Sequence, residues 1–176
     1  GPNSIRRSYS IASISSNNKI TLLIKKVKDG KFSHYWFDKA KLNDLLRIEG
    51  PKGTFFLRDR AKPLVFLATG TGIAPIISIL DGLDSDPDFN QIENISLFWG
   101  NRVQQDFIWS PNFKKINVDF YPIVSKDDDD WNGEIGYVQD VALRVLNNIK
   151  KVNVYACGAS VMIDCAKSNF IRSGLN

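Results

Sequence analysis

The chain is poor in the residues that staple or metallate small proteins. Its 176 residues include two cysteines, Cys157 and Cys165, and one histidine, His34. Cysteines this few and this spaced form neither a disulfide framework nor a metal knuckle, and they suit a reducing, cytoplasmic compartment. One histidine and two cysteines leave no ligand set for a zinc, haem or plant-type iron–sulfur centre within the chain, so no metal site is expected. Long apolar runs are missing too: none approaches the roughly 18 residues that cross a bilayer. Gly1 to Arg7 carries charge with no apolar stretch behind it and does not read as a signal peptide. Nor does one sign of charge dominate. There are 23 basic and 19 acidic residues, net +4, and the basic Lys25-Lys26-Val27-Lys28 is offset by the run Asp127 to Asp130. That mixture reads as a solvated surface rather than a nucleic-acid or membrane footprint.

What remains is ordinary globular material, 43% hydrophobic and 24% charged, which excludes disorder, collagen and coiled coil. At roughly 150 residues per domain the length allows one domain or two small ones. The pattern changes near residue 60. Before it, Arg7 to Ser13, Lys19 to Val27 and two pieces between Leu46 and Leu57 read as strands, separated by the turns Asp29-Gly30 and Gly50-Pro51-Lys52-Gly53. One short helix is expected over Trp36 to Leu46. After it, apolar runs at 64–68, 95–99, 118–124 and 152–156 read as buried strands. They alternate with helical spacing at Ile73 to Leu83, Val138 to Leu146 and Met162 to Asn169, with a short helix over Gln104 to Trp109. Such alternation predicts a doubly wound parallel sheet.

Three motifs carry chemistry. Thr69-Gly70-Thr71-Gly72 follows a buried strand and opens a helix. Its glycines let the backbone approach a ligand, the helix start offers free N–H groups to a pyrophosphate, and Pro75 fits the first turn. A glycine-rich turn without a ligand has the same pattern. Pro75 stands where the usual dinucleotide fingerprint has a third glycine, and the second strand ends in Gly100-Asn101-Arg102 without a ribose-binding acid. Arg7-Ser8-Tyr9-Ser10 could offer an aromatic face to a flat ring and a guanidinium to a phosphate, or be a surface strand with scattered polar residues. Cys157-Gly158 ends the fourth strand, where ligands bind in open α/β sheets; Ser160 would cap the next helix, and an inert buried cysteine is the alternative.

Taken together and in this order, the motifs resemble the ferredoxin–NADP reductase superfamily of flavin reductases, in particular those of deoxysugar and oxygenase systems. The similar stretches include Arg7 to Ser13, Gly30 to Ser33, Ile48 to Arg58, Gly70 to Pro75, Trp99-Gly100, Trp131 to Gly133 with Gly136 to Val138, and Tyr155 to Gly158 with Val161 to Asp164. The resemblance implies a partial antiparallel FAD-binding barrel over 1–60 and an NAD(P)-binding doubly wound domain over 61–176 lacking its last strand. It implies that Tyr9 stacks on the flavin, that Arg7 binds its pyrophosphate, that Ser8 is a further cofactor-binding residue and that Ser10 bonds the reactive ring nitrogen. Ile24, Lys25 and Lys26 would pass the pyrimidine edge largely by backbone. Gly30, Lys31, Phe32 and Ser33 would cap the flavin phosphates. Thr69, Gly70, Thr71 and Gly72 would cradle the nicotinamide dinucleotide. Arg102 and Ser125 would lie by its adenosine end, and Cys157, Gly158 and Met162 by the nicotinamide, with Ser10 and Cys157 nearest the reacting atoms.

The same resemblance implies hydride transfer from NADH, or NADPH, to FAD and then single electrons to an iron–sulfur acceptor serving a dehydrase or an oxygenase. A free-flavin reductase and an inactive nucleotide-binding or regulatory subunit are the alternatives. Members carry further strands before the Arg-x-Tyr-Ser strand and a last strand with an aromatic-acidic tail. The chain is therefore expected to be part of a longer protein, with an unclosed barrel exposing strand edges.

Overall fold

The structure is a computed structural model that describes residues 6–14, 18–87, 92–126 and 130–175. Its framework is a five-stranded, all-parallel sheet in the order β4-β3-β2-β1-β5. The strands are β1 (Leu64–Thr69), β2 (Ile95–Asn101), β3 (Asp119–Val124), β4 (Glu134–Ile135) and β5 (Asn153–Cys157). The central pair, β1 and β2, is buried almost throughout, as runs such as Leu-Val-Phe-Leu-Ala require.

Helices cover both faces. Strand alternation sends Leu64, Phe66, Leu97 and Trp99 to one face, where Ile73, Ile76, Leu80 and Leu83 of α2 (Ile73–Ser85) meet them. Val65, Leu67 and Phe98 point to the other, against α3 (Val138–Val145) and α4 (Ser160–Arg172) through Val138, Val141, Ala142, Ala166 and Phe170. The predicted doubly wound sheet is present, each of its four expected strands placed within two residues. Between Gln104 and Trp109 the expected helix is a single 3-10 turn, Gln104–Asp106. The fifth strand, β4, was not expected: its two residues are a strand only because they pair with Ile123 and Val124.

The first sixty residues differ more from expectation. Between described residues their antiparallel pairing is the bridge of Ile11 with Leu22, supported by the Ala12 N–H donating to the Thr21 carbonyl at 2.8 Å; Lys19 is a bridge residue as well. The segments 19–27 and 46–57 otherwise form no ladder among the described residues, because a strand exists only where a neighbour takes its backbone groups. The helix falls earlier than Trp36 to Leu46: α1 spans Lys31–Asp38. It starts where Ser33, 5% exposed, bonds the Val27 and Gly30 carbonyls and accepts the Val27 N–H. It stops where Lys39 and Ala40 both donate to the Tyr35 carbonyl. Leu42 and Leu45, almost fully exposed, have no surface to pack on and so do not extend it.

This part packs on the α2 face of the sheet. Leu23 and Leu57 join that core. Ser78 Oγ donates to the Ser13 carbonyl at 2.9 Å, and the Arg58 N–H donates to Tyr155 Oη at 3.0 Å.

Candidate functional site

The strand order reverses at β1, whose neighbours are β2 and β5, so a crevice opens beyond its carboxyl end. Thr69, Gly70, Thr71 and Gly72 stand there, the last three as a 3-10 turn running directly into α2. Gly70 has φ +54°, and a Cβ on it would meet nothing within 4 Å, so its flank faces open space. Gly72 is the opposite case. A Cβ there would collide with the Cys157 carbonyl and come within 2.7 Å of the Gly158 Cα. The ends of β1 and β5 are thus backbone against backbone, and Thr69 Oγ1 completes the joint by accepting the Ala159 N–H at 2.9 Å. The sequence reading put Gly72 in the cradle; its missing side chain points into this seam.

No side chain caps α2, so the positive end of its dipole is left to the crevice. Two buried side-chain atoms at the same end of the sheet, Asn101 Nδ2 and Gln139 Oε1, have no partner among the described residues. An open glycine flank, an uncapped helix start and orphaned polar atoms fit a ligand with phosphate and polar groups.

Cys157 ends β5 on the same face as Tyr155, and burial pushes its thiol up from the ordinary value, so it is neutral at physiological pH. It is poised to pack, not to attack. Met162 is 7% exposed and packs in the second core with Val138 and Phe170. Ser160 is not a cap as expected: it is the first residue of α4, and Ala159 holds the capping position without a side-chain bond.

In the flavin half, Arg7, Ser8 and Ser10 are exposed and Tyr9 half-buried, its ring 5.4 Å from that of Phe32. Arg7 donates to the Arg6 carbonyl at 2.7 Å and forms no ion pair among the described residues. The ammonium groups of Lys25 and Lys26 reach Asp106 at 3.1 Å and Asp38 at 2.7 Å. Lys26, with His34 beside it, holds the Asp38 carboxyl below the usual carboxylate range. Ile24 is half-buried. Ser33 directs its hydroxyl into the 27–30 turn, so Gly30, Lys31, Phe32 and Ser33 present backbone at the start of α1, where no side chain caps.

At the far end of the crevice Arg102 and Ser125 are exposed. The Ser125 N–H donates to the Asn101 carbonyl at 2.9 Å and the Lys126 N–H to the Arg102 carbonyl at 3.3 Å, bringing Arg102 and Lys126 side by side. Asp127 to Asp129 lie outside the described residues.

Two residues were given no role by the sequence reading. Trp99, 1% exposed, donates its indole N–H to the Gly70 carbonyl at 2.9 Å; the only sequence signal is its place just before Gly100. Asp84 Oδ1 accepts the backbone N–H groups of Lys114, Lys115 and Ile116, and nothing local marks it.

Known proteins fit this geometry. The chain is 41% identical over 180 residues to the CDP-6-deoxy-L-threo-D-glycero-4-hexulose-3-dehydrase reductase of Yersinia pestis, covering 98% of this chain and 53% of that one. It is 29% identical to the anthranilate 1,2-dioxygenase electron transfer component of Acinetobacter baylyi, covering 92% and 48%. The fold of a ferredoxin NADP+ reductase from Neisseria gonorrhoeae with bound FAD and NADP superposes with a TM-score of 0.78 at 21% identity, covering 99% and 75%. The chain spans about half the length of the curated relatives it matches. Residues 2–57 match the oxidoreductase FAD-binding domain and residues 66–168 the oxidoreductase NAD-binding domain. With its reversed strand order, its glycine turn and an FAD-domain stretch packed on the α2 face, the chain belongs to the FAD- and NAD-binding oxidoreductases of the ferredoxin–NADP reductase-like fold.

Proposed function

We propose that the chain is the cofactor-binding core of an electron-transfer reductase that takes hydride from NADH and passes single electrons to an iron–sulfur acceptor serving a dehydrase or oxygenase. Residues 1–60 would bind FAD and residues 61–176 the nicotinamide dinucleotide. The observation that carries the reading is the Thr69–Gly72 turn at the strand-order reversal, open at Gly70 and locked from behind at Gly72. The partner class rests on the names of the relatives, a dehydrase reductase and a dioxygenase electron transfer component.

Flavin and nicotinamide supply the hydride and electron chemistry when bound. The chain's own residues bind and orient. Arg7 offers to a phosphate an exposed guanidinium with no ion pair among the described residues, and Tyr9, braced by Phe32, offers a ring face. The Gly70 flank lets a pyrophosphate reach the start of α2. Cys157, uncharged, adds bulk beside the crevice without a competing nucleophile. No side chain need move a proton for a hydride to pass.

The test is the visible absorbance of the purified protein carrying its full natural length. Flavin bands are expected, and Arg7→Ala should weaken FAD binding by about 1.5–3 kcal/mol, the range for a charge-assisted bond. A colourless protein that also fails to take up added FAD would defeat the reading and favour a nucleotide-binding subunit.

A further inference from the structure

We propose that Trp99 is a positioning residue for the nicotinamide dinucleotide: its buried indole N–H fixes the orientation of the Gly70–Thr71 peptide and so turns the Thr71 N–H toward the crevice. The inference rests on the proposed function above, since it names how this chain holds that ligand's phosphates.

Trp99 stands on β2 opposite Ala68, one residue before the β1 strand ends. Its side chain is 1% exposed, and its single polar atom has a partner, the Gly70 carbonyl at 2.9 Å. A buried indole N–H without that acceptor would carry a desolvation cost, so ring and carbonyl are mutually committed. The ring cannot easily swing away. Phe107 meets it edge-on at 5.1 Å and 88°, and Trp109 at 6.4 Å and 63°. Phe107 is backed in turn by Trp131, stacked at 5.5 Å and 9°.

The consequence follows from peptide geometry. A trans peptide is planar, with its C=O and N–H pointing in opposite directions. Drawing the Gly70 oxygen inward to Trp99 sends the Thr71 N–H outward, past a glycine whose flank is empty to 4 Å. Thr71 itself is exposed. The Ile73 N–H also donates to the Gly70 oxygen, but it belongs to the same turn and would rotate with it. Trp99 ties the peptide to the sheet, an outside reference. Preorganising a donor before the ligand arrives removes an ordering cost from binding.

The experiment is a titration of the full-length protein with NADH, read as a dissociation constant by calorimetry, alongside an FAD titration. Trp99→Phe keeps an aromatic ring in the core, smaller than the indole, and removes the donor. It should bind NADH about five- to tenfold more weakly, the weight of one hydrogen bond, with FAD affinity unchanged in the folded variant and the melting temperature lowered by the lost ring volume. The indole 15N–H resonance of Trp99 should shift when NADH is added and stay in place when FAD is added. Should Trp99→Phe fail to fold, the sulfur isostere of tryptophan, 3-benzothienylalanine, keeps the ring's shape without the N–H and should show the same loss. NADH binding by either folded variant equal to that of the unmodified protein overturns the proposal. An unmodified protein that takes up FAD but no NADH instead defeats the reading of the crevice itself.

Discussion

Two glycines two residues apart in the same turn do opposite work, and substitution separates them. At Gly70 space is free but the backbone is left-handed, so Gly70→Ala costs strain alone, about 1–2 kcal/mol. At Gly72 the backbone, φ −61°, suits any residue, but a Cβ would lie 2.6 Å from the Cys157 carbonyl carbon. Gly72→Ala must therefore push β5 and α4 away from β1, an overpacking cost of about 1–3 kcal/mol. The expected results are a lower melting temperature for both variants but a displaced Cys157 environment for Gly72→Ala alone. Thiol accessibility of Cys157 should rise in Gly72→Ala and stay unchanged in Gly70→Ala. Equal accessibility in the two variants would show that the seam does not depend on Gly72. The sequence showed that glycine was needed at both positions. It did not show why, because the direction of a missing Cβ has meaning only against a strand eighty-five residues away.

At the scale of elements, legibility tracked how local the stabilising contacts are. β1 and β2 are buried apolar runs, and β3 and β5 half-buried ones, packed on helices whose apolar residues recur at helical spacing, so each pattern and its partner were visible together. β4 was not, since two residues gain strand character only from β3. In the flavin half, Lys19 to Val27 has strand composition, yet among the described residues it forms isolated bridges and no ladder, and α1 was displaced because Ser33, not the apolar spacing after Trp36, sets its start. The segment after β2 shows the same dependence on distant groups. Beyond its one 3-10 turn it has no helix and is tied down by Asp84 of α2, whose one carboxylate oxygen takes three backbone N–H groups. Burial pushes that carboxyl up, but the three donors outweigh it, and the group lies below the ordinary carboxylate range. A depressed folded-state value means the stabilisation is present above the unfolded value, near pH 4, and is lost as pH falls through the folded one. Asp84→Ala should therefore lower stability by about 1–3 kcal/mol at pH 7. The gap in melting temperature from the unmodified protein should shrink as the pH drops below about 4; a gap independent of pH would mean the carboxylate charge plays no part.

At the scale of the whole molecule, the far end of the crevice carries exposed cations and the sequence just beyond them is acidic, which bear on cofactor choice in opposite directions. A 2′-phosphate adds nearly two negative charges and needs cations to receive it. Arg102 and Lys126 stand together there, joined by backbone, exposed, and without an ion pair among the described residues. One residue beyond Lys126 the sequence runs Asp127-Asp128-Asp129-Asp130. At physiological ionic strength charges act over a screening length of about 8 Å, and the sequence sets four carboxylates next to Lys126 against these two cations. We expect NADH to be preferred over NADPH, measured as the ratio of kcat/KM for the two reductants in the full-length protein. Replacing the four aspartates by asparagine should narrow the ratio, with a steeper effect at low salt than at high salt, because the repulsion is screened. A tenfold preference of the unmodified protein for NADPH, about 1.4 kcal/mol, would reverse the assignment. Arg102 and Lys126 would then be the phosphate's ligands, with the acidic run too far from the bound nucleotide to count.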